Sequence, residues 1–399
     1  MWYHIGVAVI RDDSGLRMYD GHMMKKVLCG FIAVCTILIT LSGCRADSGS
    51  MTIKIREIRP YGNVILDTTF EDMNEGGIDV GDIITVRIED REYDLPVGTS
   101  YTDVNIGELL CRFDQQDKEV ALAANYGSFA EITGTAEKQT IEEDPGFRWV
   151  TNVDEVTISL KEKEGYLDEY SARNLTRTDA REDYPNLNDE EFANFREVDV
   201  TGMKEHILYR SSTPIEPDLG RNEYAMAAME KAGIQSVINL ANPANAMRNL
   251  SAYQGSYYSR CAVINPEMGY EFESREFGEK VRQSIVFMTE NDGPYLIHCK
   301  EGKDRTGILC GILECFAGAT ADEVMQDYMI TYYNFYNVQP EDPAYSIILD
   351  NNIVKTLCNL FQIDNLDETD LREEAEQYLL SIGLTSEQLN ALDEKLCER

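Results

Sequence analysis

The spacing of apolar and polar positions changes character twice along this chain. "MTIKIREI" (51–58), "IITVRIED" (83–90) and "EVTISLKE" (155–162) alternate apolar and polar residues, the two-residue period of a half-buried strand. Turn chemistry separates them at Tyr61-Gly62-Asn63, at Gly76-Gly77 and at Pro96 with Gly98. Residues 51–160 therefore read as a small all-β module, a barrel or a sandwich. Residues 161–192 are dense in charge and poor in large apolar side chains, which reads as a charged linker with a solvated face. From 193 to 399 the pattern becomes α/β. "HILYRSS" (206–212) is a short strand, and the spacing predicts a helix over 221–233 that stops at Gly233. A buried strand over 234–240, a helix over 271–291, a strand over 293–299 and a helix over 306–318 follow. Thr320 with Glu323, and Thr385 with Gln388, form capping boxes that open two further helices. Such alternation implies a mainly parallel sheet with helices on both faces.

The N-terminal stretch belongs to neither module. Lys25 and Lys26 precede an apolar run, "VLCGFIAVCTILIT" (27–40), too short for a comfortable membrane span. The run ends at "LSGC" (41–44), which resembles the lipobox of a bacterial lipoprotein signal peptide. That resemblance implies that residues 1–43 are a leader and that Cys44 carries a lipid. The chain is then extracytoplasmic, anchored to the bacterial cell membrane by its acyl chains. A plain membrane anchor or an uncleaved signal is the alternative reading.

Composition narrows the function. Hydrophobic residues make up 43% and charged residues 27%, as in a soluble globular protein. Acidic residues outnumber basic ones by 71 to 36, so the net charge is −35 and nucleic-acid binding is excluded as a role. An anionic substrate needs a local positive site that works against the protein's own field. The ten cysteines lack the dense, even spacing of a disulfide scaffold, and no C-x-x-C pair occurs. Beyond the leader the histidines are His206 and His298, too few for a histidine metal site, and neither metal nor cofactor is expected.

"HCKEGKDRTG" (298–307) concentrates the chemistry. It joins a strand to a helix through a tight turn. Backbone N–H groups in that geometry converge into an anion nest, reinforced by the helix dipole. The same field favours the thiolate of a cysteine that faces it. With Cys299 at the strand end and Arg305 at the helix start, five intervening residues can wrap a phosphate. Sulfur then contacts phosphorus while the guanidinium grips two oxygens.

This stretch resembles the H-C-x5-R-[ST] signature of the cysteine-dependent tyrosine and dual-specificity phosphatases, and in particular the bacterial G-K-D-R-T-G subgroup. "NFREV" (194–198), "LYRSSTP" (208–214) and "GIQSVINL" (233–240) are similar to strings of that subgroup. The resemblance implies an α/β phosphatase domain over 193–399 behind the all-β module. It implies Cys299 as nucleophile, Arg305 as the phosphoryl-binding group, and Thr306 as the stabiliser of the thiolate leaving group. It also implies that His298 orients the loop from behind and that Arg210 braces it, a plain surface ion pair being the alternative for Arg210. Glu301, Gly302 and Gly307 complete the phosphate-binding loop. The proton donor stays open between Asp304, Glu267 in "NPEMGY", and water-assisted departure, because residues 240–291 hold no aspartate. Lys300 and Lys303 either reach further phosphates of the substrate or only offset the acidic surface. The expected partners are thus a phosphorylated protein, a phosphoinositide or an inositol phosphate. A phospho-ligand binding protein with little turnover is the alternative. Sulfur or arsenate chemistry would need resolving cysteines, and Cys310 and Cys315 lie on the following helix. "PYGNVILDTTF" (60–70) and "ALAANYGSFAEI" (121–132) resemble the C-terminal β-barrel of the SAM-hydroxide adenosyltransferases. That family's other domain has no counterpart in this sequence, so a spacer or binding module is expected there.

Overall fold

The computed structural model describes residues 49–114, 116–141 and 146–398. The leader and the lipidation site at Cys44 lie outside the described residues. Among those described, no helix is long and apolar enough to cross a membrane.

The alternating segments close on themselves. Seven strands form a barrel in the order β1-β2-β6-β5-β4-β3-β9, where β1 is Met51–Ile58, β2 Val64–Leu66, β3 Ile83–Ile88, β4 Arg91–Gly98, β5 Leu109–Asp114, β6 Glu119–Ala124 and β9 Glu155–Glu162. The hairpin of β7 (Ala136–Thr140) and β8 (Phe147–Thr151) stands apart as its own two-stranded sheet. The two-residue period turns Ile84, Val86 and Ile88 of β3 into the barrel interior, with Phe113 of β5 and Leu122 of β6.

The second sheet has the order β10-β11-β14-β12-β13. Its strands are β10 (Arg196–Glu197), β11 (Leu208–Ser211), β12 (Ser236–Asn239), β13 (Ala262–Ile264) and β14 (Tyr295–His298). All neighbours are parallel except β10 with β11. Helices cover both faces, as the alternation predicts. Tyr295 and Ile297 of β14 join the larger core, while Leu296 between them points into the smaller one. The smaller core packs under α2 (Asn222–Lys231) through Ala225, Ala228 and Met229. The larger core gathers α3 (Arg275–Glu290), α4 (Asp304–Ala317), α5 (Ala321–Tyr336), α6 (Leu371–Ser381) and α7 (Ser386–Leu396). Every residue of α4 from Thr306 to Ala317 is buried, so the helix that continues from "HCKEGKDRTG" is the axis of the domain. Both expected capping boxes form, at Thr320 and at Thr385.

The reading of 161–192 as a solvated linker is corrected. It contains helix α1 (Leu167–Arg173), whose Asn174 and Tyr166 hydrogen-bond to Asp103 of the barrel at 3.0 and 2.6 Å. The residues are charged, but many of the charges are paired. Glu169 accepts from Arg173 at 2.7 Å and from Asn351, beyond α5, at 3.2 Å. Composition registers charge and does not reveal whether a partner is waiting for it.

Candidate active site

Parallel pairing brings three strand ends to one edge. His298 of β14 lies in register with Ser211 of β11 on one side and Asn239 of β12 on the other. The loops leaving these strands gather there, as they do at the carboxyl edge of open α/β sheets.

The turn 299–303 is held from outside by its carbonyls. His298 Nδ1 meets the Cys299 oxygen at 3.0 Å, and the Thr213 N–H donates to Lys300 at 3.0 Å. Asn194 Nδ2 donates to Glu301 at 3.1 Å, and Arg210 Nη2 to Gly302 at 2.9 Å. A trans peptide sets the next N–H opposite each carbonyl. Four carbonyls held outward therefore direct the following N–H groups inward, the nest that an oxyanion needs. Gly302 has φ +69°, and a Cβ there would lie 2.1 Å from the Ser211 carbonyl oxygen. Only glycine permits this close pass of the loop over β11.

Inside the cup stand Cys299, buried at the strand end, and the start of α4. Arg305 Nη1 reaches the Leu240 and Met268 carbonyls at 3.4 and 3.3 Å, and its guanidinium lies 4.7 Å from the Tyr270 ring centre. Arg305 Nε and the Thr306 hydroxyl are buried without a partner in the protein. Unsatisfied buried donors at such a point fit an anionic ligand.

His298 is neutral. Burial, with Arg305 adding repulsion, pushes its pKa down to about 4 against the hydrogen bond to the Cys299 carbonyl. A nitrogen that faces a carbonyl must carry the proton, so Nδ1 donates and Nε2 accepts from the Tyr258 hydroxyl at 2.8 Å. Arg210 is no surface ion pair. It is fully buried and joins the Asp327 carboxylate, which Arg196 also grips at 2.7 Å. Burial resists the Asp327 charge, but the two arginines overcome it and hold the carboxyl well below the ordinary range. Glu314, buried behind them, is pushed well up by burial and by the Asp327 charge.

The remaining sequence-predicted residues divide. Burial raises the Asp304 carboxyl above its ordinary value, with Lys303 opposing and Glu301 adding to the rise. Glu267 sits exposed at φ +57° on the loop whose Met268 carbonyl holds Arg305. Gly307, inside α4, lies where a Cβ would fall 2.6 Å from the Tyr328 ring. Lys300 is half-exposed at the rim, 3.3 Å from Asp218. Lys303, read as reaching further phosphates or as offsetting the acidic surface, is turned toward neighbouring side chains. It lies 3.6 Å from Glu301 and 3.9 Å from Asp304, with its ammonium 5.4 Å from the ring centres of both Tyr332 and Tyr336. Burial opposes its charge, but Asp304, Tyr336 and Glu301 outweigh it and raise its pKa. Glu301, expected on the substrate side, directs its carboxylate to Arg177 at 2.9 Å. Sequence reading missed Asn194, Arg196, Tyr258, Tyr270 and Asp327. The "NFREV" string held a usable signal for the first two. Among the described residues, no cluster of His, Cys, Asp and Glu could hold a metal ion.

Comparisons with known proteins find two family models that match separate stretches of the chain. The family model "Tyrosine phosphatase family" matches residues 187–398, and "SAM hydroxide adenosyltransferase C-terminal domain" matches 54–142. A tyrosine-protein phosphatase from Nostoc commune is 42% identical over 53 residues, which are 13% of this chain and 18% of that protein's length. Among solved structures, an uncharacterized conserved protein from Thermotoga maritima is 22% identical at a TM-score of 0.23. That match covers 28% of this chain and 36% of the other. The core catalytic domain of the PP-IP phosphatase Siw14 from S. cerevisiae is 20% identical at a TM-score of 0.27, covering 44% of this chain and 96% of the other.

Proposed function

The chain belongs to the tyrosine phosphatase family, and from that premise we propose that it hydrolyses phosphomonoesters through a cysteinyl-phosphate on Cys299. The observation that carries the reading is the loop's outward hold. Four bonded carbonyls leave an inward-facing N–H cup that contains Cys299 and the unpartnered Arg305 Nε.

The phosphoryl group is bound by the loop N–H groups and Arg305. The Cys299 sulfur attacks phosphorus as the ester P–O bond breaks. Asp304 gives its proton to the departing oxygen, a role that suits a carboxyl with a raised pKa. Water then attacks phosphorus, returns a proton to Asp304, and the S–P bond breaks with Thr306 beside the leaving sulfur. The neutral His298 fixes the Cys299 carbonyl throughout.

The substrate is a phosphorylated protein or a phosphorylated lipid or inositol. Lys303, already engaged by Glu301, Asp304 and two tyrosines, supports multiply phosphorylated substrates less than its place in the motif implies. Lys300 remains at the rim to meet a second phosphate.

Hydrolysis of para-nitrophenyl phosphate by wild type and Cys299→Ser tests the reading. Loss of turnover by about three orders of magnitude or more, with oxyanion binding retained, is expected when the nucleophile is removed. Undiminished turnover in Cys299→Ser would overturn it. A wild type that binds phosphate esters without turning them over would instead be a phospho-ligand binding protein.

A further inference from the structure

Arg177 lies ahead of the stretch that the phosphatase family model covers, in the segment expected to be a linker. One of its donors nevertheless reaches the catalytic loop. Nη1 lies 2.9 Å from Glu301 Oε1 and donates to the Tyr336 hydroxyl at 2.9 Å, while Nε donates to Asp179 at 3.1 Å. The guanidinium lies 5.1 Å from the Phe335 ring centre and 5.7 Å from that of Tyr336. The Arg177 and Glu301 side chains are only 19% and 23% exposed, so water screens the pair weakly. Unlike an exposed surface pair, this one is backed by aromatic rings and a phenol hydroxyl. Burial opposes the Arg177 charge, and Glu301 and Tyr336 more than restore it.

The contact does not end at Glu301. The second Glu301 oxygen lies 3.6 Å from Lys303, which lies 3.9 Å from Asp304, the residue before Arg305. Positive and negative charges thus alternate from Arg177 to the mouth of the phosphate cup. The same segment meets the loop a second time. Arg173 and Leu175 line a cavity of about 230 Å³ that Lys303 and Asp304 also border. A tether that merely docked the barrel would not need to grip a side chain inside the motif.

We infer that Arg177 is a positioning residue of the catalytic loop, supplied by the segment that joins the barrel to the phosphatase domain. It fixes Glu301, and through it the loop turn whose N–H groups receive the phosphate. The inference rests on the proposed phosphatase reading for its activity readout alone.

The test compares full-length wild type, Arg177→Ala, Arg177→Lys, Glu301→Gln and the Arg177→Ala/Glu301→Gln double variant. Steady-state kinetics with para-nitrophenyl phosphate are read beside amide hydrogen exchange of residues 299–303. Arg177→Ala should lower kcat/KM about tenfold, mostly in kcat, a loss equal to about 1.4 kcal/mol. Arg177→Lys should recover most of it, and adding Glu301→Gln to Arg177→Ala should cost less than about twofold more, because the two act as one contact. Exchange in 299–303 should quicken in Arg177→Ala. A kcat/KM within about twofold of wild type with unchanged exchange, or fully additive losses, would overturn the inference. If wild type turned over no phosphomonoester, the phosphatase reading would fall, and loop exchange would decide the role of Arg177 by itself.

Discussion

Replacing His298 by glutamine should flatten the pH dependence of stability between about pH 5 and pH 7. In the folded protein the imidazole is sealed between the Tyr258 hydroxyl and the Cys299 carbonyl, and its pKa falls to about 4 from the ordinary 6.5. As pH drops below 6.5 the unfolded chain takes up a proton that native His298 refuses until about pH 4. The stability is therefore fully present above that window and is lost as the solution is acidified through it. The whole shift corresponds to roughly 3 kcal/mol, of which about 2 kcal/mol falls between pH 7 and pH 5. His206 works in the opposite direction, because its hydrogen bond to Glu197 raises its pKa, but it is present in both proteins and cancels. Carboxyls held low, such as Glu323 at about 2, lose their contribution only in more acid solution. Urea unfolding at the two pH values, on wild type and His298→Gln, measures the difference. Wild type should lose about 2 kcal/mol more than the variant on acidification. Equal losses would show that native His298 titrates like a solvent-exposed histidine, and the neutral-tautomer argument would fail. The variant's lower absolute stability is a separate effect, since glutamine replaces both hydrogen bonds imperfectly.

Gly302→Ala places a methyl 2.1 Å from the Ser211 carbonyl oxygen at a positive φ, so the loop must lift off β11. A stability loss of about 1–3 kcal/mol in thermal unfolding and a fall of about two orders of magnitude in kcat/KM are expected, and wild-type kinetics would refute the close-pass reading. Asp304→Asn should slow hydrolysis of alkyl phosphates about a hundredfold while sparing para-nitrophenyl phosphate, whose leaving group needs no proton. If Glu267→Gln gives that pattern instead, the proton donor is Glu267.

Much of the site is written locally. Cys299, Arg305 and Thr306 follow from ten consecutive residues between a strand and a helix, and in the fold they stand at that junction. The helix starts at Thr320 and Thr385 were equally legible, because a capping box is complete within four residues. The frame around the loop was not. Asn194, Tyr258 and Asp327 reach their partners across 107, 40 and 117 positions, and no period or spacing encodes such meetings. The resemblance implied Arg210 as a brace, but its acid lies on α5, a helix whose approach depends on core packing. The partners of Lys303 were hidden for the same reason. Its surroundings are Tyr332 and Tyr336, on a helix that the motif cannot announce. The segment 161–192 misled through composition, which counts the charges on Arg173 and Arg177 without seeing Glu169 and Glu301 opposite them.

The outward hold of the loop carbonyls has a consequence for the order in which the protein matures. Synthesis delivers the whole motif by residue 307, yet the acid that anchors Arg210 arrives only with Asp327, and the tyrosines around Lys303 later still. A nascent chain paused between α4 and α5 carries every motif residue and none of this buttress. The four groups that hold the loop carbonyls, His298, Thr213, Asn194 and Arg210, are already made by then, but the carboxylate that fixes Arg210 itself comes only with Asp327.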